Sequence, residues 1–427
     1  MAPGGADSGG SRNDGVALPV STGNAGRLVQ DPRETGTVDV ARRAKASIAP
    51  SGEYRSIRHS DRQTRSEAVT YIARADSELF RLCAALGYET EYDRYLATQR
   101  TLLGGWGNTA IAKDPPYASE IGDDHSPYEF SLQFEPGGVE LRLLVEAQGD
   151  QPCALTNREA ALQLNRRLHD RYSLDMGRFS KVADLFLNEE PSAPFSVWHA
   201  VCWFPGTVPG FKLYLNPRTR SRDQSRALIE EALIRLGLSH ETRRYLDQIA
   251  RSPKDEFSYF SLDLSAGPKS RVKVYVTHHG AGAKELEQVM SVSPHHRAGD
   301  VPNFCEVMTG HDGPYMIKPV TTCVSFIEGT IEPYATTLHL PIAHYVDSDQ
   351  VTASRVSRFL RDNNLDDMSY RRAINVFTPR ALDEGVGVQS YASYRREADG
   401  LRFSAYLSPE LFRSTVSNVQ SSQSRTA

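Results

Sequence analysis

From residue 128 onward, apolar and polar positions alternate in ten short runs that fall into five pairs. The pairs are "YEFSLQF" with "VELRLLV", "FSVWHAVCWF" with "GFKLYLN", "FSYFSLDL" with "RVKVYVT", "TTCVSFI" with "YATTLHLP", and "VGVQSYASY" with "LRFSAYL". Side chains of an extended strand point alternately to opposite faces, so each run has two coherent sides. In the second runs one side is aliphatic: Leu141, Leu143 and Val145, then Phe211, Leu213 and Leu215, then Val272, Val274 and Val276, then Leu338 and Leu340. The other side carries Glu140 and Arg142, Lys212 and Tyr214, Arg271, Lys273 and Tyr275, Thr337 and His339, and finally Arg402 and Tyr406.

Helical periodicity fills the gaps. "SEAVTYIARADSELFRLCAALG" spaces Val69, Ile72, Leu79, Leu82 and Leu86 at helical intervals and stops at Gly87. "TNREAALQLNRRLHDRY" opens with Thr156 and Glu159 in capping-box spacing. "SRDQSRALIEEALIRLG" ends at Gly237, and "SDQVTASRVSRFL" follows an Asp/Ser start. Successive strand pairs begin about 60 to 70 residues apart, which predicts one helix–helix–strand–strand unit used five times.

A ten-stranded sheet tends to curl, and closing it removes both exposed edges. The helices must bury their apolar stripes, and the aliphatic strand face is the large surface available to them. The expected fold is therefore α+β: a closed ten-stranded antiparallel β-barrel of five αββα repeats, helices outside and the charged strand face turned into a lumen. Alternation alone equally admits a sandwich whose polar faces meet solvent. Residues 1–60, rich in Gly, Ser, Asp and Arg without periodicity, read as a disordered leader. Residues 61–415 read as a single domain and 416–427 as a flexible tail.

Composition narrows the function classes. A chain of 427 residues with 39% hydrophobic content can bury a sizeable core. The net charge of −4 and the lack of a basic run argue against a nucleic-acid partner. No apolar stretch reaches the length of a membrane span. Five widely spread cysteines without CxxC spacing point to reduced thiols, hence a cytoplasmic protein, and not to a disulfide frame or zinc site. "GDDHSP" and "NNLDDMS" are isolated acidic pairs in loop-like settings and read as caps or turns. The pairs His278–His279 and His295–His296 read as loop residues without metal-ligand company.

These runs resemble the aromatic prenyltransferases of the dimethylallyltryptophan synthase type. The resemblance extends from about residue 60 to 415 and is carried by "DHSPYEFSLQF" with "ELRLLVE", "GFKLYLNPR", "KSRVKVYVTHHG", and "QSYASYR" with "FSAYLSPE". It implies a ten-stranded barrel that moves a dimethylallyl group from its diphosphate to an indole, commonly tryptophan, without a metal ion or other cofactor. It implies that Glu129 binds the indole and that Arg142, Lys212, Arg271 and Lys273 hold the diphosphate. Tyr214, Tyr275, Tyr391 and Tyr406 match the tyrosines that screen the allylic cation. Thr337 and His339, grouped with the diphosphate site, stand where fungal members carry glutamine and tyrosine. His199 stands where fungal members carry a lysine suggested as proton acceptor. The short loops look more like the bacterial branch.

The residues make chemical sense of that implication. Ionising an allylic diphosphate leaves a highly charged anion and a carbocation, and fixed cations in a water-poor site favour the first. Tyrosine faces protect the second. Singly, each cation also reads as a solvated surface charge and each tyrosine as packing. Glu129 shares a face with Ser131 and Gln133, where it could accept an N–H or form a salt bridge to Arg142 across the hairpin. His199 could take the ring proton as a neutral imidazole, or be a buried structural histidine. The expected substrates are dimethylallyl diphosphate and L-tryptophan or a related indole, with a monomer or homodimer as the working form. The rivals are a phenolic acceptor, or a non-catalytic barrel that binds an anionic isoprenoid.

Overall fold

The computed structural model describes residues 68–412 except 189–192, 239 and 268. The predicted leader (1–60) and tail (416–427) lie outside the described residues. Two helices, α1 (Tyr71–Leu86) and α2 (Tyr92–Leu103), lead into the hairpin β1 (Tyr128–Glu135) and β2 (Gly138–Val145). Then α3 (Ala154–Tyr172) and α4 (Gly177–Phe186) precede β3 (Val197–Trp203) and β4 (Gly210–Leu215). The third unit splits its helical part into α5 (Ser225–Arg235), α6 (His240–Arg243) and α7 (Tyr245–Ile249) before β5 (Glu256–Asp263) and β6 (Arg271–His278). The helices α8 (Ala283–Met290) and α9 (Asp300–Thr309) introduce β7 (Val320–Ile327) and β8 (Ala335–Leu340). Finally α10 (Asp349–Asp362) and α11 (Asp367–Phe377) introduce β9 (Gln389–Glu397) and β10 (Gly400–Leu407).

Every strand pairs antiparallel with its sequence neighbour, and β10 returns to β1 from Phe130↔Leu407 to Phe134↔Phe403, closing the barrel. Closure satisfies the edge groups that an open meander would leave for another chain. Outside the helical layer also closes: α11 packs on α1, and Arg372 Nε donates to the carbonyl of Ala85 at 2.8 Å.

The aliphatic strand face does point outward. Leu141, Leu143, Leu213, Val274 and Leu338 are fully buried between the sheet and helices that present Leu79, Leu82, Leu164 and Leu286. Each such side chain contributes roughly 1.5–3 kcal/mol by leaving water. The core is thus a shell around the barrel, which leaves the barrel interior free to be polar. Among the described residues no helix is long and apolar enough to cross a membrane.

Two helix starts differ from expectation. α1 begins at Tyr71 behind Thr70, whose hydroxyl accepts from Ala73 N–H at 3.2 Å, so Val69 precedes the cap and is 57% exposed. Gly87 ends that helix as predicted, in the left-handed conformation at φ 75°. In α3 the cap is Cys153, and Thr156 is the reciprocal partner, its hydroxyl accepting from Cys153 N–H at 3.0 Å. Thr156 sits at the third helical position, so the box lies three residues, most of a turn, earlier than the Thr156/Glu159 spacing suggests. Asp366 caps α11 by accepting from Ser369 N–H at 3.0 Å, as its loop setting implied. His278 is not a loop residue; it closes β6, buried between Asp255 at 3.0 Å and Thr322 at 2.8 Å.

Candidate active site

All five hairpin turns lie at one end of the barrel, because consecutive strands are antiparallel. The inward positions nearest those turns carry the charge. The register places Ser131 opposite Arg142, Lys212 opposite Asp263, Ser261 opposite Lys273, and Thr337 opposite Arg395. The lumen encloses a cavity of about 330 Å³. Glu129, Arg142, Lys212, Tyr214, Arg271, Lys273, Tyr275, Thr337, His339, Tyr391 and Tyr406 all line it.

At this end Arg142 and Arg271 are each held by a carboxylate. Arg142 Nε pairs with Glu140, and Arg271 Nε lies 2.8 Å from Asp263. Burial alone would raise the Glu140 carboxyl, but Arg142 and Lys212 outweigh it and hold it down to about 2. The lysines are less compensated. Lys212 Nζ donates to Cys202 Sγ at 2.9 Å. Lys273 is brought down to about 7 by burial and by the neighbouring charges of Arg271 and Lys212.

Sequence reading missed Arg395 and Glu397. They continue the inward face of β9 two and four residues past Ser393, beyond where the apolar pattern of "VGVQSYASY" stops. Arg395 reaches Glu397 at 2.6 Å and Gln133 at 2.6 Å, tying β9 to β1. Arg402 bridges Glu397 at 3.3 Å and Glu135 at 3.2 Å.

Midway along the lumen runs a belt of rings. Tyr214 and Tyr275 are 5.9 Å apart, Tyr275 and His339 5.8 Å, His339 and Tyr406 5.9 Å, and Tyr406 and Tyr391 6.1 Å. Tyr406 Oη and His339 Nδ1 are 3.2 Å apart. Burial, then Lys273, Arg395 and Arg142, depress the His339 imidazole to about 3, so it is neutral.

Beyond the belt, at the end away from the turns, Glu129 is 6% exposed and accepts a hydrogen bond from Ser390 Oγ. Burial pushes its carboxyl up to about 8. It does not meet Arg142: the register puts Glu129 opposite Leu144, and Arg142 belongs to Glu140. Trp198 and Tyr259, their rings 5.5 Å apart, form the apolar wall here. Lys318, on the segment before β7, pairs with Asp123 of the "GDDHSP" turn and lies 4.9 Å from the Tyr391 ring centre. No local pattern announces Lys318, since it reaches the site from a loop.

His199 is not in the lumen. Lys212 faces inward and pairs with Ala200, so Trp198, Ala200 and Cys202 face inward and His199, opposite Leu213, faces out. Its Nε2 lies 2.8 Å from Asn165 Oδ1 on α3. Burial, with Arg167, lowers the imidazole to about 3. The expected proton acceptor is therefore a structural histidine between sheet and helix. Among the described residues no group of three or more His, Cys, Asp or Glu is arranged to hold a metal ion.

Known proteins share this architecture. The family model for tryptophan dimethylallyltransferase matches residues 95–296. The 6-dimethylallyltryptophan synthase of Micromonospora olivasterospora, solved in complex with DMASPP and Trp, is 32% identical, with 81% of this chain and 99% of that chain covered at a TM-score of 0.77. The 5-dimethylallyl tryptophan synthase of Streptomyces coelicolor is 29% identical over 81% of this chain and 96% of that chain, at a TM-score of 0.75. Prenyltransferase anuH of Penicillium roqueforti is 22% identical, over 69% of this chain and 78% of its own. The closed barrel, its cationic turn end and these likenesses together make the chain a member of the tryptophan dimethylallyltransferase family of aromatic prenyltransferases.

Proposed function

We propose that this protein transfers a dimethylallyl group from dimethylallyl diphosphate to the indole ring of L-tryptophan or a related indole, using protonated side chains in place of a metal. The observation that carries this reading is the ordering of one cavity: cations at the turn end, rings at mid-height, and a buried carboxyl at the far end.

Arg142, Lys212, Arg271 and Lys273, joined by Arg395, receive the diphosphate, with Thr337 and His339 beside it. The allylic C–O bond breaks and its electron pair leaves with the diphosphate, where charge-assisted hydrogen bonds stabilise it. Tyr214, Tyr275 and Tyr406 turn ring faces to the cation and exclude water. Glu129 accepts the indole N–H, and such a donor favours its ionised form. The ring's π electrons close the new C–C bond, and loss of the ring proton restores aromaticity. With His199 facing outward, Glu129, which lines the cavity and whose proton affinity lies near neutrality, is the group proposed to take that proton.

The test is incubation of the protein with L-tryptophan and dimethylallyl diphosphate in excess EDTA. A product heavier by one prenyl group is expected. Turnover of phenols but not indoles moves the acceptor class. Diphosphate binding without product from any aromatic acceptor turns the barrel into an isoprenoid-binding module.

A further inference from the structure

At the cationic end of the lumen one contact differs in kind from its neighbours. Glu140 and Asp263 hold Arg142 and Arg271 as ion pairs. Lys212 instead donates from Nζ to the thiol of Cys202, 2.9 Å away. Both residues are buried, 9% and 6% exposed, and both line the cavity. The transfer chemistry itself makes no use of Cys202.

The strand register brings the pair together. Lys212 on β4 stands opposite Ala200 on β3, whose methyl group offers no acceptor, and Cys202 is the next inward residue along β3. Diagonal neighbours of this kind lie within reach of a long side chain. On its other side Cys202 stands opposite Arg142 of β2, so it occupies a position between two of the cations.

A thiol suits that place. Lysine is a point charge on a flexible four-carbon stem, and an unanchored ammonium must be ordered when its anion arrives. An ammonium has three N–H donors; the sulfur takes one and leaves two for phosphate oxygens. A carboxylate in the same place would also fix the lysine, but it would set a further negative charge against the diphosphate. A thiol is a weak, uncharged acceptor, so it orients Lys212 without competing for it.

We propose that Cys202 is a positioning residue for the prenyl donor: it aims the ammonium of Lys212 into the lumen, ready for the diphosphate. The proposal rests on the prenyl-transfer reading and deepens it by adding a residue that acts through Lys212. It also separates the two kinds of cation, arginines neutralised by carboxylates and a lysine steadied by a group that leaves its charge to the donor.

Steady-state kinetics with each substrate varied in turn test it. Cys202→Ala should raise KM for dimethylallyl diphosphate about 3- to 10-fold, the loss of one weak bond to a charged donor, and leave KM for L-tryptophan within about twofold. Cys202→Ser restores an uncharged acceptor and should recover most of the wild-type value. Cys202→Asp should raise the donor KM furthest, by about tenfold or more, because its carboxylate both captures Lys212 and repels the diphosphate. Equal rises in both KM values, an alanine variant with the wild-type donor KM, or a serine variant no better than alanine overturn the proposal. If Cys202→Ala does not fold, Cys202→Val removes the acceptor at similar volume and is read in its place. Should the wild type form no product, the transfer reading fails by itself, and calorimetric titration with inorganic diphosphate then decides. Binding tightest in wild type and serine, weaker in alanine and weakest in aspartate upholds the role of Cys202, and any other order overturns it.

Discussion

The ammonium of Lys318 lies 4.9 Å from the ring centre of Tyr391, a tyrosine that also lines the lumen. Burial works against that charge, but Tyr391 and Asp123 raise the lysine's proton affinity and keep it an ammonium. One face of Tyr391 is therefore already engaged by a cation, unlike Tyr214 and Tyr275 in the same belt. Tyr214→Leu and Tyr275→Leu should each lower kcat by roughly 2- to 30-fold. Tyr391→Leu should lower the melting temperature more than kcat, because it strips Lys318 of its ring. Parallel turnover and thermal-melt measurements check the contrast, and a larger kcat loss at Tyr391 would contradict it.

Lys273 predicts a proton-linked donor affinity. Burial and the charges of Arg271 and Lys212 bring its proton affinity down to about 7, and an anion placed beside it favours the protonated form. Binding of dimethylallyl diphosphate should therefore take up protons, and its affinity should fall as pH rises above 7. Lys273→Ala should weaken diphosphate binding by at least about tenfold, change tryptophan binding far less, and flatten the pH dependence. Calorimetry in buffers of different ionisation heat reads both effects.

His199 should prove structural. His199→Leu removes the partner of Asn165 and should cost about 1–3 kcal/mol of stability while kcat stays within about twofold. The acid limb gives a second readout. The native imidazole is depressed to about 3, so the folded state binds fewer protons than the unfolded chain, and its contribution to stability is lost as pH falls from 6.5 toward 3. The leucine variant should lack that part of the decline. A large kcat loss with unchanged stability would return the histidine to the chemistry.

Glu129 couples function to stability with the opposite sign. Its carboxyl is raised from 4.5 to about 8, so the folded state retains a proton that the unfolded chain releases. Stability from this group is full below pH 4.5 and is lost as pH rises to 8. Glu129→Gln should abolish most indole prenylation, yet melt a few degrees above the wild type at pH 8.5 and near it at pH 5. Thermal melts at the two pH values, set against turnover, test this.

Much of the site was legible because strand facing is a local property. Once Lys212 is taken as inward, period two carries Tyr214 with it along β4, and once Arg271 is, Lys273 and Tyr275 follow along β6. The same rule applied to β3 would have turned His199 outward, since Ala200 is the residue opposite Lys212. His199 matches a family position in sequence, but the cross-strand register fixes its face, and that register exists only in the folded sheet. Arg395 was lost for a different reason: a charged continuation of β9 carries no apolar signal to extend the strand.

By itself the sequence determined the strands, the repeat and which residues share a strand face, since each depends only on backbone geometry and neighbours a few positions away; that the charged face turns inward required the barrel to close. Tertiary structure alone decided which charges meet. Closure of β10 on β1 and the folding of loops over the rim bring together Arg395 with Gln133 and Lys318 with Asp123. It also decided the proton affinities of Glu129 and Lys273, because burial and the distance to other charges exist only once the barrel encloses them.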